Sequence, residues 1–261
     1  MIRAHAPLSL GTLVLGLLLS SFASVAGAQS TLHVYGPGGP ASAMKEAAAA
    51  FSAKHKNVTV AVTAGPTPTW KAQATQNADL IFSGAEYMMT DFMQKDLVGV
   101  IDAATVRTLY LRPSAILVRP GNPKGISGVK DLGKPGIKLM VVQGAGQLGM
   151  WEDVAGRGGD VEHVATVRRN IGFYAPNSGE AKKRWAEDTS FDAWLIWTTW
   201  QKDNPAAADL VGTEPEYTIY RSCGIALAAR SRQKELAKQF ADFVQSPAGQ
   251  AIFVGHGWLE P

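Results

Sequence analysis

Glycines carry most of the chemistry that can be read in this chain. Gly144, Gly146 and Gly149 spell G-x-G-x-x-G directly after the apolar run IKLMVV at 137–142. In a dinucleotide-binding unit that spacing turns a strand sharply into a helix and lets backbone amides approach a pyrophosphate. A second cluster, YGPGGPASAM, sets Gly36, Gly38 and Gly39 between a strand ending at Tyr35 and a helix beginning at Pro40 or Ala41. Glycine lets the backbone turn tightly against a ligand. The unpaired amides and partial positive charge of a helix start then attract an anion. Each loop is therefore a candidate anion cradle: Gly38, Gly39, Pro40 and Ser42 in the earlier one, Gly146 and Gln147 in the later one.

The dinucleotide reading fails on context. The fingerprint sits in mid-chain, and the helix after it, MWEDVAGRGG, meets Gly156, Gly158 and Gly159 within about two turns. The acids that follow, Asp160 and Glu162, open a polar helix-like stretch rather than closing an apolar strand. No nicotinamide, flavin or other cofactor is expected.

Other polar residues stand where strands should end. TAGPTPTW offers Thr67, and FSGAEY offers Ser83 and Gly84; open α/β sheets bind ligands outside the carboxyl ends of their strands. Ser83 suits a helix cap equally well, and Trp70 reads as core. Asn177 and Ser178 open the helix SGEAKKRW, again as caps or donors. Arg169, next to Arg168, and Arg221, in the strand-like YRSCGIAL, are the candidate clamps, because a guanidinium matches phosphate and carboxylate oxygens two at a time. FDAWLIWTTW reads as a strand continuing past Trp197, which places Thr198 at its end, and Tyr217 is a candidate cleft wall. There is no G-x-S-x-G elbow, no H-E-x-x-H and no C-x-x-C, and the five histidines are scattered. Neither a catalytic set nor a metal site is expected.

Positioning such loops takes strands alternating with helices. TLHVY, VTVAVT, ADLIFSG, SAILVRP, IKLMVV, FDAWLIW and RSCGIALAA alternate with helical stretches such as 40–55, 85–96, 178–187 and 233–245, the pattern of an α/β fold. RPGNPKGISG and GTEPEY are the best linkers, giving one lobe from 29–119 plus 213–261 and a second, 120–212, inserted in it. Residues 1–28 read as a secretory signal peptide: Arg3, an apolar run from Leu8 to Leu19, and Ala26-Gly27-Ala28 before the cleavage point. The run is about 12 residues long, short of the roughly 20 that span a bilayer. With a net charge of +3 and no block of like charges, no nucleic-acid partner is expected. Cys223 has no second cysteine to pair with and reads as a small buried hydrophobe.

Three passages together, LVRPGNPKGISGVKDLGKPGIKLMVV, FDAWLIWTTW and ELAKQFADFVQSPAGQAIFVGHGW, resemble the bacterial periplasmic solute-binding proteins of the molybdate/sulfate-binding type. HVYGPGGPASAMKEAAAAF, AGPTPTW, IFSGAEYMMTDF, GAGQLGMWED, APNSGEA and YRSCGIAL are similar, more narrowly, to the accessory colonisation factor AcfC subgroup. The resemblance implies two α/β lobes joined by two crossover strands, a cleft that closes on a small anion, a periplasmic location and an ABC importer as partner. Monomer and homodimer both stay open. An adhesin or chemosensory partner on the same fold is the alternative, and an anion-processing enzyme a more distant one. The first loop departs from the molybdate and sulfate binders: it is Gly-Pro-Gly-Gly-Pro where they place Ser or Thr.

Overall fold

The computed structural model describes residue 1 and residues 29–261; the expected signal peptide and its cleavage after Ala28 lie outside the described residues. Among the described residues, β1 (Ser30–Gly36), α1 (Ala41–Lys54), β2 (Val58–Ala64), α2 (Thr67–Asn77), β3 (Leu80–Phe82) and α3 (Glu86–Asp91) come first. A 12-residue strand, β4 (Arg107–Val118), follows. Then come β5 (Leu139–Val142), α4 (Met150–Gly156), α5 (Val161–Asn170), β6 (Ile171–Ala175), α6 (Ser178–Glu187), β7 (Ala193–Trp197), α7 (Thr198–Asp203) and β8 (Asp209–Gly212). The chain closes with β9 (Tyr220–Leu227), α8 (Lys234–Val244) and α9 (Pro247–Gly255).

The strands form one path in the order β2-β1-β3-β9-β4-β7-β5-β6, with β8 also on β4. β1 is parallel to β2 and β3, and β5 to β6 and β7, while β4 and β9 run antiparallel to their neighbours. The antiparallel middle divides two α/β halves. In the first, α1 turns Ala43, Met44, Ala47, Ala48 and Phe51 inward, and α8 adds Ala237, Phe240, Ala241 and Val244, each a single helical face. These pack on one side of β1, β3 and β9, and Trp70, Met88, Met89 and Phe92 pack on the other. The second half has its own core, running from Ile116 to Ile219.

β4 passes from one half into the other, and the return into β9 runs beside it: Ser114 N–H donates to Ile219 O (2.9 Å) and Ile219 N–H to Ser114 Oγ (3.1 Å). Pro113 sits at this crossing opposite Tyr220; proline removes a ladder donor, so the pairing there is reduced.

One expectation changes. The strand read through FDAWLIWTTW stops at Trp197, and Thr198 begins α7 instead, so Thr198 and Trp200 follow helical geometry rather than strand alternation. The segment IGFYA forms β6 on the edge beside β5. Its burial alternates only weakly, and periodicity gives little sign of it.

Candidate functional site

A cavity of about 160 Å³ lies where the loops after β1, β2 and β3 face the loops after β5 and β6. From the first half it is lined by Pro37, Gly38, Gly39, Gly65, Pro66, Thr67, Gly84 and Met88. The second half supplies Gly146, Gln147, Asn177, Ser178, Gly179 and Trp200, and Arg112 comes from β4 between them. These loops sit at the carboxyl ends of parallel strands, where a sheet leaves a crevice. α1 and α2 begin beside the cavity with no side-chain cap, and their dipoles favour negative charge there, although Ala41 N–H is spent on Gly38 O (3.2 Å) and Thr69 N–H on Pro66 O (2.9 Å). α6 is capped by Asn177, whose Oδ1 accepts from Glu180 N–H at 2.9 Å. The second loop is pinned from beneath: the buried Trp70 indole donates to Gly65 O at 3.0 Å.

Arg112 is the charge of this site, and it is 1% exposed. Its guanidinium packs over the Trp197 ring at 4.7 Å and near the Trp258 ring at 5.3 Å, and Nη2 donates to Gly84 O. Nε and Nη1 are buried without an acceptor, and no carboxylate pairs with it among the described residues. Three glycines make room for it. A Cβ at Gly39 would lie 2.5 Å from Nη1, one at Gly146 2.7 Å from Nη2, and one at Gly84 3.3 Å from Nη2. Burial pushes the guanidinium pKa down to about 10, which still leaves it charged at neutral pH. A buried charge without a counter-charge is costly, and an anion in the cavity supplies one.

The other arginines are placed differently. Arg221 lies off the cavity, held by Asp153 (3.0 Å) and Glu86 (3.6 Å). Because Glu86 belongs to α3 and Asp153 to α4, Arg221 ties the two halves together at the rim. Arg169 is exposed at the last turn of α5, distant from the glycine loops in the fold.

Gly38, Gly39, Thr67, Gly84, Gly146, Gln147, Asn177 and Ser178 thus come together at one cavity. The remaining expected residues stand outside its lining. Pro40 is buried behind the first loop, and Ser42 is exposed on the first turn of α1. Ser83 is fully buried, accepting from Gly224 N–H at 3.2 Å. Thr198 donates to Gly257 O at 3.3 Å, and Tyr217 packs against the second core. Gln147 contributes structure as well: it contacts Ser178 Oγ at 2.9 Å, and its amide meets both Gly144 O (3.0 Å) and the Trp197 indole (3.2 Å) when the nitrogen faces Gly144. The G-x-G-x-x-G loop is a short 3-10 turn, and Gly149, at φ 72°, starts the seven-residue α4. The volume itself excludes a dinucleotide, since a cavity of roughly 150 Å³ takes one benzene ring.

Arg112, Met88, Gly65, Gly179 and Trp200 are lining residues that sequence reasoning missed. A signal existed for Arg112: a charged residue inside the strand-like RTLYLRPSAILV, the same anomaly that drew attention to Arg221. A larger open hollow, about 710 Å³, lies at the opposite ends of β1 and β3, around His33, Asp79 and Ser231. Its one buried charge, Asp79, is already satisfied by His33 N–H (2.9 Å) and Ser231 Oγ (2.6 Å). Its arginines, Arg230 and Arg232, are exposed to solvent.

Residues 32–259 match the family model for bacterial extracellular solute-binding proteins. The chain belongs to that family. Among solved structures, this solute-binding protein is similar to PEB3 of Campylobacter jejuni in an L-phospholactate-bound crystal structure, at 33% identity and TM-score 0.80 over 88% of this chain and 100% of the other. It shares the fold of the sulfate-binding protein SubI from Mycobacterium tuberculosis (17% identity, TM-score 0.74, 88% and 86% covered). The periplasmic molybdate-binding protein of Azotobacter vinelandii also shares it (17% identity, TM-score 0.65, 88% and 99% covered). No curated protein sequence matches the chain. The fold is therefore the periplasmic-binding-protein type II arrangement, two α/β lobes with a cleft between them, and the cavity around Arg112 occupies that cleft.

Proposed function

We propose that this solute-binding protein is a periplasmic receptor that captures a small anion in the cleft and hands it to an ABC importer. In this reading the inserted lobe is 120–212, and the lobes close on a phosphorylated or carboxylated metabolite or an oxyanion. The observation that carries it is Arg112, a buried guanidinium with two unpartnered nitrogens and no carboxylate partner, beneath three glycine loops contributed by both halves. Support also comes from PEB3, whose structure holds L-phospholactate.

The size and the donors narrow the class. About 160 Å³ suits a compound of a few carbons. Charge-assisted hydrogen bonds contribute about 1.5–3 kcal/mol each, so four or five offset the costs of association and leave roughly −8 kcal/mol, a micromolar Kd. Affinity of that order also permits release.

Melting temperature measured with a panel of ligands tests the reading. L-Phospholactate, small phosphate esters and di- or tricarboxylates should raise it, and neutral sugars should leave it unchanged. Absence of a shift with every anion of the panel rejects the proposal. Intact mass of the protein recovered from a periplasmic extract tests export, with loss of residues 1–28 as the expected result.

A further inference from the structure

Trp200 borders three cavities, one of them a polar space of about 190 Å³ beside Ser42 and Asp203. One face borders the cavity around Arg112. It also borders a second cavity of about 210 Å³ whose walls are mainly Leu117, Trp185, Trp194 and Ala208. Of the polar residues at that second space, Arg119 donates to the carbonyls of Phe191, Trp185 and Asp188 (2.7–3.0 Å) and Asn204 Nδ2 to Trp200 O (2.8 Å), while Lys182 also lines it. What remains is an aromatic space larger than the roughly 150 Å³ that accepts a benzene ring.

The Trp200 indole lacks a hydrogen-bond anchor, as the Trp194 indole does. The Trp185 indole is anchored on Ala207 O at 2.9 Å, whereas the indole N–H of Trp200 has no acceptor. Its ring contact is Trp194, with centroids 6.0 Å apart and planes at 41°. It stands on α7, which begins directly after β7, so one helical turn separates it from Trp197 beneath Arg112.

We propose that Trp200 is the specificity-determining residue for ligand length, a partition that closes the anion cavity at about 160 Å³ and keeps anions with a bulky tail out of the aromatic space behind it. The inference rests on the anion-receptor reading, and its test separates the two. Shortening the side chain joins the cavities, leaving the glycine loops and Arg112 untouched. A phosphate head then stays at the loops while an aromatic tail packs against Trp185 and Trp194 in the space beside them.

Isothermal titration of methyl phosphate and phenyl phosphate into the wild-type protein and into Trp200→Ala, Trp200→Leu and Trp200→Phe decides it. Wild type should bind methyl phosphate at least 10-fold more tightly than phenyl phosphate. Trp200→Ala should reverse that preference, Trp200→Leu should shift it in the same direction, and Trp200→Phe should retain the wild-type order. The leucine variant and the wild-type ratio still decide the matter if the alanine variant fails to fold. Equal binding of the two esters by wild type, or an unchanged ratio in folded Trp200→Leu, overturns the partition while leaving the receptor reading intact. Failure of wild type to bind either ester overturns the partition, and the receptor reading falls with it only if every other anion of the panel also fails to bind.

Discussion

Arg112 and Arg221 stand directly opposite each other in register on β4 and β9. Like charges across an antiparallel pair repel, and the two are resolved unequally: Arg221 takes both nearby carboxylates, Glu86 and Asp153, and Arg112 takes none. The asymmetry leaves one buried cation for a ligand to neutralise, and it makes Arg112 the first residue to test. Arg112→Met keeps most of the volume and removes the charge. The ligand-free variant should melt no lower than wild type, because replacing an uncompensated buried charge by an apolar chain is often neutral or stabilising. The melting shift caused by anions should vanish. Loss of even two charge-assisted contacts of about 1.5–3 kcal/mol corresponds to a 100-fold or greater loss of affinity. A variant that still binds L-phospholactate within a few-fold of wild type would sink the assignment of Arg112.

The rim pair should act more gently. Asp153→Asn removes the partner 3.0 Å from Arg221 and so loosens the contact between α4 and β9. Half-exposed ion pairs contribute about 0.2–1 kcal/mol, so affinity should fall two- to five-fold, mostly through faster release, and the difference should shrink in high salt. Stopped-flow release rates at two salt concentrations check this. A 100-fold loss would instead place Asp153 or Arg221 in the ligand site itself.

The glycine loops make a steric prediction. Gly39→Ala would set a methyl group 2.5 Å from Arg112 Nη1, forcing the guanidinium to move within a packed interior. Gly212→Ala, on β8, meets nothing within 4 Å and serves as the control. Gly39→Ala should weaken anion binding by 10-fold or more with the fold retained, and Gly212→Ala should bind as wild type does. Equal binding by the two variants in calorimetry would show that the first loop tolerates a side chain.

Much of this architecture was legible locally. Ser246 accepts from Gly249 N–H and Pro247 takes the first turn of α9, and both signals stand in adjacent residues of the sequence. α6 spans the expected Ser178–Glu187 because its cap and inward Ala181 and Trp185 are all within one short segment. The glycine loops were legible as anion-seeking chemistry for the same reason. Arg112 was not, because its meaning depends on what lies opposite it. Arg221 is 109 positions away in the chain, and only the pairing of β4 with β9 brings the two together. Thr198 was misplaced because a run rich in tryptophan and threonine favours strand locally, while the connection from β7 turns helical at that residue. Which of several plausible donors faces the cavity is a tertiary question, and Ser83 illustrates it by turning its hydroxyl to Gly224 N–H.

Cys223 should be silent in the native protein. It is fully buried on β9, and burial pushes its thiol pKa up to about 12. The thiolate, which is the reactive form, is therefore scarce at neutral pH. A maleimide should label it only when the protein opens, with a rate that rises across the unfolding transition. Fast stoichiometric labelling of folded protein would show that this strand is accessible.

His256 gives the molecule a pH dependence. Its Nδ1 lies 2.6 Å from Asp203 on α7, and its Nε2 lies 2.9 Å from Glu46 on α1. The ring thus bridges the second half of the molecule to the first. Burial taken alone would lower its pKa, but hydrogen bonds and charge from Asp203 and Glu46 outweigh that effect and hold it above 6.5. Lys202 is the neighbouring cation, lining the same surface hollow as His256, Glu46 and Asp203. A group whose pKa is raised on folding stabilises the protein fully below its unfolded value of about 6.5 and loses that contribution as pH climbs through the folded value. Melting temperatures of wild type and His256→Gln, followed from about pH 5 to 9 across the range in which histidine titrates, should differ most at the acidic end and converge above the folded pKa. A difference between the two melting curves that stays flat with pH would mean that folding leaves the His256 pKa unshifted.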